Sequence, residues 1–83
     1  MIAYVLSEDA ELELIHAIAF YDAESSNLSE SFVAEIEQAI SYIRTFPQAG
    51  TPSGELIRRV RLNRFPYSLV YLFSAHLATF RGI

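Results

Sequence analysis

Arginine side chains are the groups in this sequence best suited to chemistry on a ligand. Arg58, Arg59, Arg61 and Arg64 lie within seven positions, and Arg81 follows near the end. A guanidinium group presents a planar fork of donors that fits a phosphate or a carboxylate. The cluster therefore predicts a surface that contacts an acidic protein segment or a nucleic acid. The alternative is an ordinary solvated sheet face, with some of the arginines paired to acidic helices.

Other reactive groups are sparse. The two histidines, His16 and His76, are isolated and lack the spacing of a metal site. His76 falls near the end of a predicted strand, where it is a candidate acid or base. The three glycines do not form a phosphate-binding loop, and the absence of cysteine excludes thiolate chemistry. We therefore expect no metal site and no cofactor.

Charge is divided unequally along the chain. Residues 1–43 hold nine acidic side chains and no lysine or arginine, whereas residues 44–83 hold six arginines and one acid. Lysine is absent, and the net charge is −4. This polarity predicts two oppositely charged faces, each suited to a different partner. The alternative is that the acidic residues simply solvate the helices.

Length and composition predict a single folded domain over residues 1–83. Hydrophobic residues make up 52% of the chain, which is typical of a sequence that folds. The first residues lack the basic start and long apolar run of a signal peptide. The uncharged stretch 65–79 is too short and too polar to span a bilayer. We therefore expect a cytoplasmic protein with no membrane partner.

Two amphipathic helices are predicted in the acidic half. Ser7 is a suitable N-cap for a first helix that runs to about Glu24, with acidic residues in its first turn. Asn27 and Glu30 resemble a capping box for a second helix. Pro47 limits that helix, because proline disfavours helical geometry in the residue before it. The short polar break between the helices predicts an antiparallel hairpin.

Strands are predicted before and after this hairpin. The apolar run 2–6 predicts a strand buried on both faces. Residues 48–54 have the composition of a loop. Strands are then predicted at 59–62, 68–73 and 77–81. The order is β-α-α-β-β-β, which favours an α+β fold with the helical hairpin packed on a small, mostly antiparallel sheet.

Alternation along the third quarter of the chain assigns faces to the arginines. Arg59 and Arg61 alternate with Val60 and Leu62, as in a strand with one solvent-exposed face and one buried face. Side chains two positions apart on a strand share a face. Arg59 and Arg61 are therefore predicted to lie side by side.

A resemblance to a known family rests on three stretches. They are Tyr21 at the end of the first helix, an apolar pattern in the second helix, and the segment RFPYSLVY at residues 64–71, which is the most specific. The helix pattern consists of Phe32, Val33, Ile36, Ala39 and Ile40, with Ile43 and Pro47 following. Together they resemble the ParE/RelE toxin superfamily, often labelled plasmid stabilisation proteins, and the ParE-like branch in particular.

The resemblance implies a toxin of a type II toxin–antitoxin module, neutralised by a cognate antitoxin protein. ParE-like members are associated with poisoning DNA gyrase through protein contacts. A homodimer is a further possible assembly. The partner-binding residues that we expect on this basis are Arg58, Arg59, Arg61, Arg64, Tyr67 and Arg81.

Two alternatives stay open. RelE-like members cleave messenger RNA on the ribosome, and the candidate catalytic residues for that activity are Arg58, Arg61, Arg81 and His76. RNA cleavage needs an acid and a base as well as cations, and arginines supply only the cations. The lack of lysine, Ser68 in place of a basic residue and the short C-terminus argue against the nuclease. A truncated, non-toxic remnant or binding domain is the second alternative.

Overall fold

Five strands form one sheet, and two helices cover one of its faces. The computed structural model describes residues 1–83, with the elements β1 (Ala3–Leu6), α1 (Glu8–Glu24), α2 (Ser26–Thr45), β2 (Thr51–Pro52), β3 (Ile57–Arg61), β4 (Ser68–Ser74) and β5 (Leu77–Gly82). The strand order across the sheet is β1-β5-β4-β3-β2. Only the β1–β5 pair is parallel. The predicted α+β class and the helical hairpin on a mostly antiparallel sheet are confirmed.

Helix α1 begins and ends where the sequence predicts. The Ser7 hydroxyl accepts a hydrogen bond from the Ala10 N–H at 3.1 Å, which caps the helix. Ala10 and Ala17 are buried on its inner side, with Leu14, Ile18 and Tyr21 packed beside them at the edge of the core. These five side chains form the side of α1 that faces the core.

Helix α2 begins earlier than predicted. Ser25 is its N-cap, because the Ser25 hydroxyl accepts from the Leu28 N–H at 3.0 Å. The predicted capping box of Asn27 and Glu30 is wrong, since Asn27 already lies in the first turn of α2. The first N–H groups of a helix have no partner within the helix. Because the Ser25 hydroxyl accepts from one of them, α2 is capped at Ser25 and begins at Ser26. The end of α2 at Thr45, before Pro47, agrees with the prediction.

Strand β1 is an edge strand, and the prediction that it is buried on both faces is wrong. Tyr4 is 40% exposed and Val5 is 47% exposed. The strand pairs only with β5, and no helix covers the face to which Val5 belongs. Arg44 of α2 fixes the start of the chain, because its Nε donates to the Ile2 carbonyl at 2.7 Å and its guanidinium lies over the Tyr4 ring.

A two-residue strand lies inside the segment 48–54 that the sequence predicts as a loop. In β2, Thr51 pairs with Arg59 and Pro52 pairs with Arg58. Proline is tolerated here because β2 is at the outer edge of the sheet, where one side of the strand has no ladder to complete.

The core lies between the helices and one face of the sheet. Tyr21, Phe32, Phe65 and Tyr67 form an aromatic cluster whose ring centroids are 5.0–6.3 Å apart. Burial, with the neighbouring Tyr67 as a further cause, raises the pKa of Tyr21. Phe32 of this cluster is fully buried, as are Ile43, Leu69, Tyr71 and Phe80. Neither helix combines the length and the apolarity that crossing a bilayer requires.

Candidate functional site

The strand register separates the sheet into a buried face and an open face. Leu69 and Tyr71 of β4 are buried against the helices, so the strand residues directly opposite them share that face. The strand residues at the alternate positions point to the other side of the sheet. On that other side no strand residue is fully buried. We call it the open face; its residues are Ala3, Val5, Ile57, Arg59, Arg61, Ser68, Val70, Leu72, Ser74, Leu77, Thr79 and Arg81.

Arg59 and Arg61 lie side by side at one end of the open face. Arg59 is opposite Val70, and Arg61 is opposite Ser68. Both arginines are exposed, and neither takes part in an ion pair within the chain, where the only ion pair joins Arg64 to Glu35. The predicted alternation is confirmed. Two guanidinium groups are thus displayed to solvent without a partner from the chain.

Tyr67 lies next to these arginines. A shallow depression of about 520 Å³ is lined by Arg59 and Arg61 together with Thr51, Pro66, Tyr67 and Ser68. The Tyr67 ring packs on Phe32 with a centroid distance of 5.4 Å, which anchors it from beneath. An aromatic wall beside two guanidinium groups offers both apolar contact and charge-assisted hydrogen bonds to one ligand.

A row of three apolar side chains and one threonine, called here the apolar row, crosses the middle of the open face. Ile57, Leu72, Thr79 and Val5 stand opposite one another on four successive strands. All four side chains are at least partly exposed. A solvated antiparallel sheet normally displays polar residues on its outer face, so an apolar row there marks a surface suited to a partner.

Arg58 has a structural role on the opposite face of β3. It is paired with Tyr71, and its Nη1 donates to the carbonyls of Gln48 at 3.0 Å and Gly50 at 2.8 Å. The Tyr71 hydroxyl donates to the Pro47 carbonyl at 2.7 Å. These bonds hold the segment that connects α2 to β2, so Nη1 of Arg58 is already bonded within the chain.

Arg64 is also bonded within the chain, through its Nε and its backbone N–H. Its Nε donates to Glu35 Oε1 at 3.3 Å, and its backbone N–H donates to Glu35 Oε2 at 3.1 Å. The Asn63 N–H donates to the same Oε2 atom. Burial of Glu35 would raise the pKa of this carboxyl, but the hydrogen bonds from Arg64 and Asn63 outweigh it and hold the pKa below its ordinary value.

Arg81 and His76 lie apart from the Arg59–Arg61 pair. Arg81 is exposed on β5, two strands away from β3, in a depression that it shares with Asp9, Glu13 and His16 of α1. His76 is in the turn between β4 and β5, at the opposite end of β4 from Ser68 and Arg61. Seven strand residues span roughly 20 Å. The four candidate catalytic residues therefore do not come together at one point.

Two features of the site escaped sequence reasoning. The apolar row was missed, although the alternation in SLVYLF already places Val70 and Leu72 on one face. What the alternation does not reveal is that neither helix covers that face. The sequence pattern of the second helix also does not distinguish Glu35 from Glu37, yet Glu35 is buried and Glu37 is exposed.

The architecture defines a class of α+β fold in which a helical hairpin covers one face of a small sheet. A chain in the solved structure of the chromosomal ParDE toxin–antitoxin system from P. aeruginosa has this fold. The TM-score is 0.85 at 18% sequence identity, and the match covers 100% of this chain and 94% of that chain. No protein-family model matches the sequence, and no curated protein matches it either. At this level of identity the similarity establishes the fold, and the fold is the one that the ParE/RelE resemblance implies.

Proposed function

We propose that this chain is the toxin of a type II toxin–antitoxin module, of the ParE-like kind, and that residues 1–83 act as one cytoplasmic toxin domain. The observation that carries the proposal is the open face, where Arg59 and Arg61 stand unpaired beside an apolar row. The fold similarity to a chain of a ParDE system supports the proposal independently.

The open face fits an antitoxin segment of definite chemistry. An amphipathic segment with acidic side chains would set apolar groups on Val70 and Leu72 and carboxylates on Arg59 and Arg61. Hydrogen bonds between guanidinium and carboxylate groups are the stronger, charge-assisted kind. Because free Arg59 and Arg61 need not break an existing ion pair, their full interaction is available to the partner.

Toxin action through protein contacts is favoured over RNA cleavage by the positions of the candidate groups. Arg58 is bonded to Gln48 and Gly50, and His76 lies at the far end of β4 from Arg61. A general acid or base must be within hydrogen-bond reach of the proton that it transfers. DNA gyrase is the target that the ParE-like resemblance implies.

Induced expression tests the proposal. Expression of this chain alone should arrest growth, and co-expression with the protein encoded beside it should restore growth. The Arg59→Gln/Arg61→Gln variant, produced to the same level, should bind its partner or its target less well. It should therefore be rescued less by the partner or should arrest growth less strongly. Undisturbed growth with soluble, folded wild-type protein would overturn the toxin assignment. New cleavage sites in messenger RNA from induced cells would replace it with the ribonuclease.

A further inference from the structure

Helix α1 carries a second apolar stripe on the side that faces solvent. At 100° per residue, its outward positions from Leu12 onward fall within an arc of about 140°. None of the six positions in this arc carries an acidic side chain, lysine or arginine, and all six are exposed. Three of them are large, with Leu12 48%, Ile15 53% and Phe20 62% exposed. We call this stripe the outer face of α1; it consists of Leu12, Ile15, His16, Ala19, Phe20 and Ala23.

Acidic side chains surround the outer face. Glu8 and Asp9 precede it in the first turn, Glu11 and Asp22 lie along one flank, and Glu13 and Glu24 lie along the other. Helix α1 contains no lysine or arginine. Arg81 of β5 lines a depression together with Asp9 and Glu13.

The outer face adjoins one edge of the open face, because Leu12 and His16 line the same depression as Val70 and Arg81. The opposite side of α1 is packed into the core through Ala10 and Ala17, so the outer face points away from the core. On the side of Phe20 the stripe continues into a groove formed with Tyr67 and Ile83. Arg59 and Arg61 line neither of the two depressions that Leu12, His16 and Phe20 help to form, so the centre of the outer face lies outside the arginine site.

We propose that the outer face of α1 binds an amphipathic helix whose apolar stripe is flanked by lysine or arginine. A helix of this kind buries i, i+3, i+4 and i+7 anchors against an apolar surface, and Ala19 and Ala23 leave room for it to approach. Its basic flanks would meet the two acidic flanks of α1. A second copy fits less well, because pairing two α1 helices face to face would set six acidic side chains against six others. The proposal goes beyond the antitoxin site and does not depend on toxicity.

A labelled synthetic peptide tests this proposal in solution. The probe is an amphipathic helix of about 18 residues, or about five turns, with leucine anchors and lysine flanks. Fluorescence anisotropy with the full chain should show saturable binding that weakens as salt is raised, because the charge pairs are solvent-exposed. A peptide with the same leucines and glutamate flanks should bind at least about tenfold more weakly, which corresponds to 1.4 kcal/mol.

Matched variants locate the binding surface. Leu12→Ser/Phe20→Ser should weaken binding of the lysine peptide at least about tenfold, which again corresponds to 1.4 kcal/mol. Tyr42→Ser/Phe46→Ser removes a similarly exposed apolar pair, 47% and 57% exposed, and should leave binding unchanged. Arg59→Gln/Arg61→Gln should also leave it unchanged. All three variants alter exposed positions, and unaltered thermal unfolding would verify that they fold.

Several results would overturn the proposal. They are no binding of the lysine peptide, equal binding of the glutamate peptide, and equal loss in the Tyr42/Phe46 variant. If the chain self-associates in sedimentation experiments and Leu12→Ser/Phe20→Ser abolishes that self-association, the occupant of the outer face is a second copy instead. Binding of the chain to zwitterionic lipid vesicles without binding to the peptide would identify a membrane surface.

Discussion

Glu35 joins α2 to the chain that follows β3 through a carboxylate that accepts three hydrogen bonds. Two come from the backbone N–H groups of Asn63 and Arg64, and the third comes from the Arg64 side chain. Since the Arg64 side chain is 66% exposed, its ion pair is partly screened, and the two backbone bonds carry much of the interaction. Glu35 is thus a structural residue, and Arg64 serves to hold it.

The lowered pKa of Glu35 predicts a pH dependence of stability. The ordinary carboxyl pKa is 4.5 and the pKa in the folded chain lies below it, so the contribution of Glu35 is complete above 4.5 and is lost as pH falls through the lower pKa. Glu35→Gln should therefore lower the melting temperature at neutral pH, and the difference from wild type should shrink in acid. Thermal unfolding across a pH series measures it. Glu37→Gln, at an exposed site, is the control, and a constant difference at every pH would contradict the account.

The Tyr71 hydroxyl fixes the segment between α2 and β2. It donates to the Pro47 carbonyl and accepts from the Gly50 N–H at 3.2 Å. Gly50 is required there, because a Cβ at this position would come within 2.5 Å of the Tyr71 hydroxyl oxygen. Tyr71→Phe should lower the free energy of unfolding by about 1–3 kcal/mol, because two polar groups lose their partner. Urea denaturation measures this, Tyr42→Phe at an exposed site is the control, and equal stability of the two variants would refute the role.

At the scale of elements, Ser25 divides the helical hairpin. Its backbone N–H donates to the Tyr21 carbonyl at the end of α1, while its side chain caps α2. Ser25→Ala should lower the free energy of unfolding by about 1 kcal/mol, which is typical of a lost N-cap. Asn27→Ala should have little effect, because Asn27 is not the cap. Chemical denaturation of both variants decides between the two positions, and a larger loss in Asn27→Ala would restore the capping box that the sequence suggested.

The elements that the sequence predicts correctly are those with strong local periodicity. Both helices, the Arg59–Arg61 alternation and β4 follow from patterns within a few turns or residues. The exposure of β1 could not be predicted from its own residues. A run of five apolar residues is compatible both with a central strand and with an edge strand of a sheet. Its position depends on the parallel pairing with β5, more than seventy residues away. The short β2 depends likewise on its partner β3.

At the scale of the whole molecule, the unequal distribution of charge along the chain places acidic and basic side chains on different surfaces. The acidic residues lie chiefly on the helices, and Arg59 and Arg61 lie on the sheet face that the helices leave uncovered. The sequence predicts this pair, but it does not distinguish these two arginines from Arg58 and Arg64. That distinction rests on contacts with Gln48, Gly50 and Glu35, which are formed only in the folded chain.

The most direct measurement of the central claim is the affinity of the purified chain for the protein encoded beside it. Arg59→Gln/Arg61→Gln should raise the Kd by about tenfold or more, because hydrogen bonds to charged groups contribute about 1.5–3 kcal/mol each. Glu30→Gln/Glu37→Gln, at exposed helix positions, should leave the Kd unchanged. Calorimetric titration at low and at high salt would show both effects. An unchanged Kd for the arginine variant, with the wild-type chain binding tightly, would contradict the account, because the open face would then not be the surface that the partner contacts.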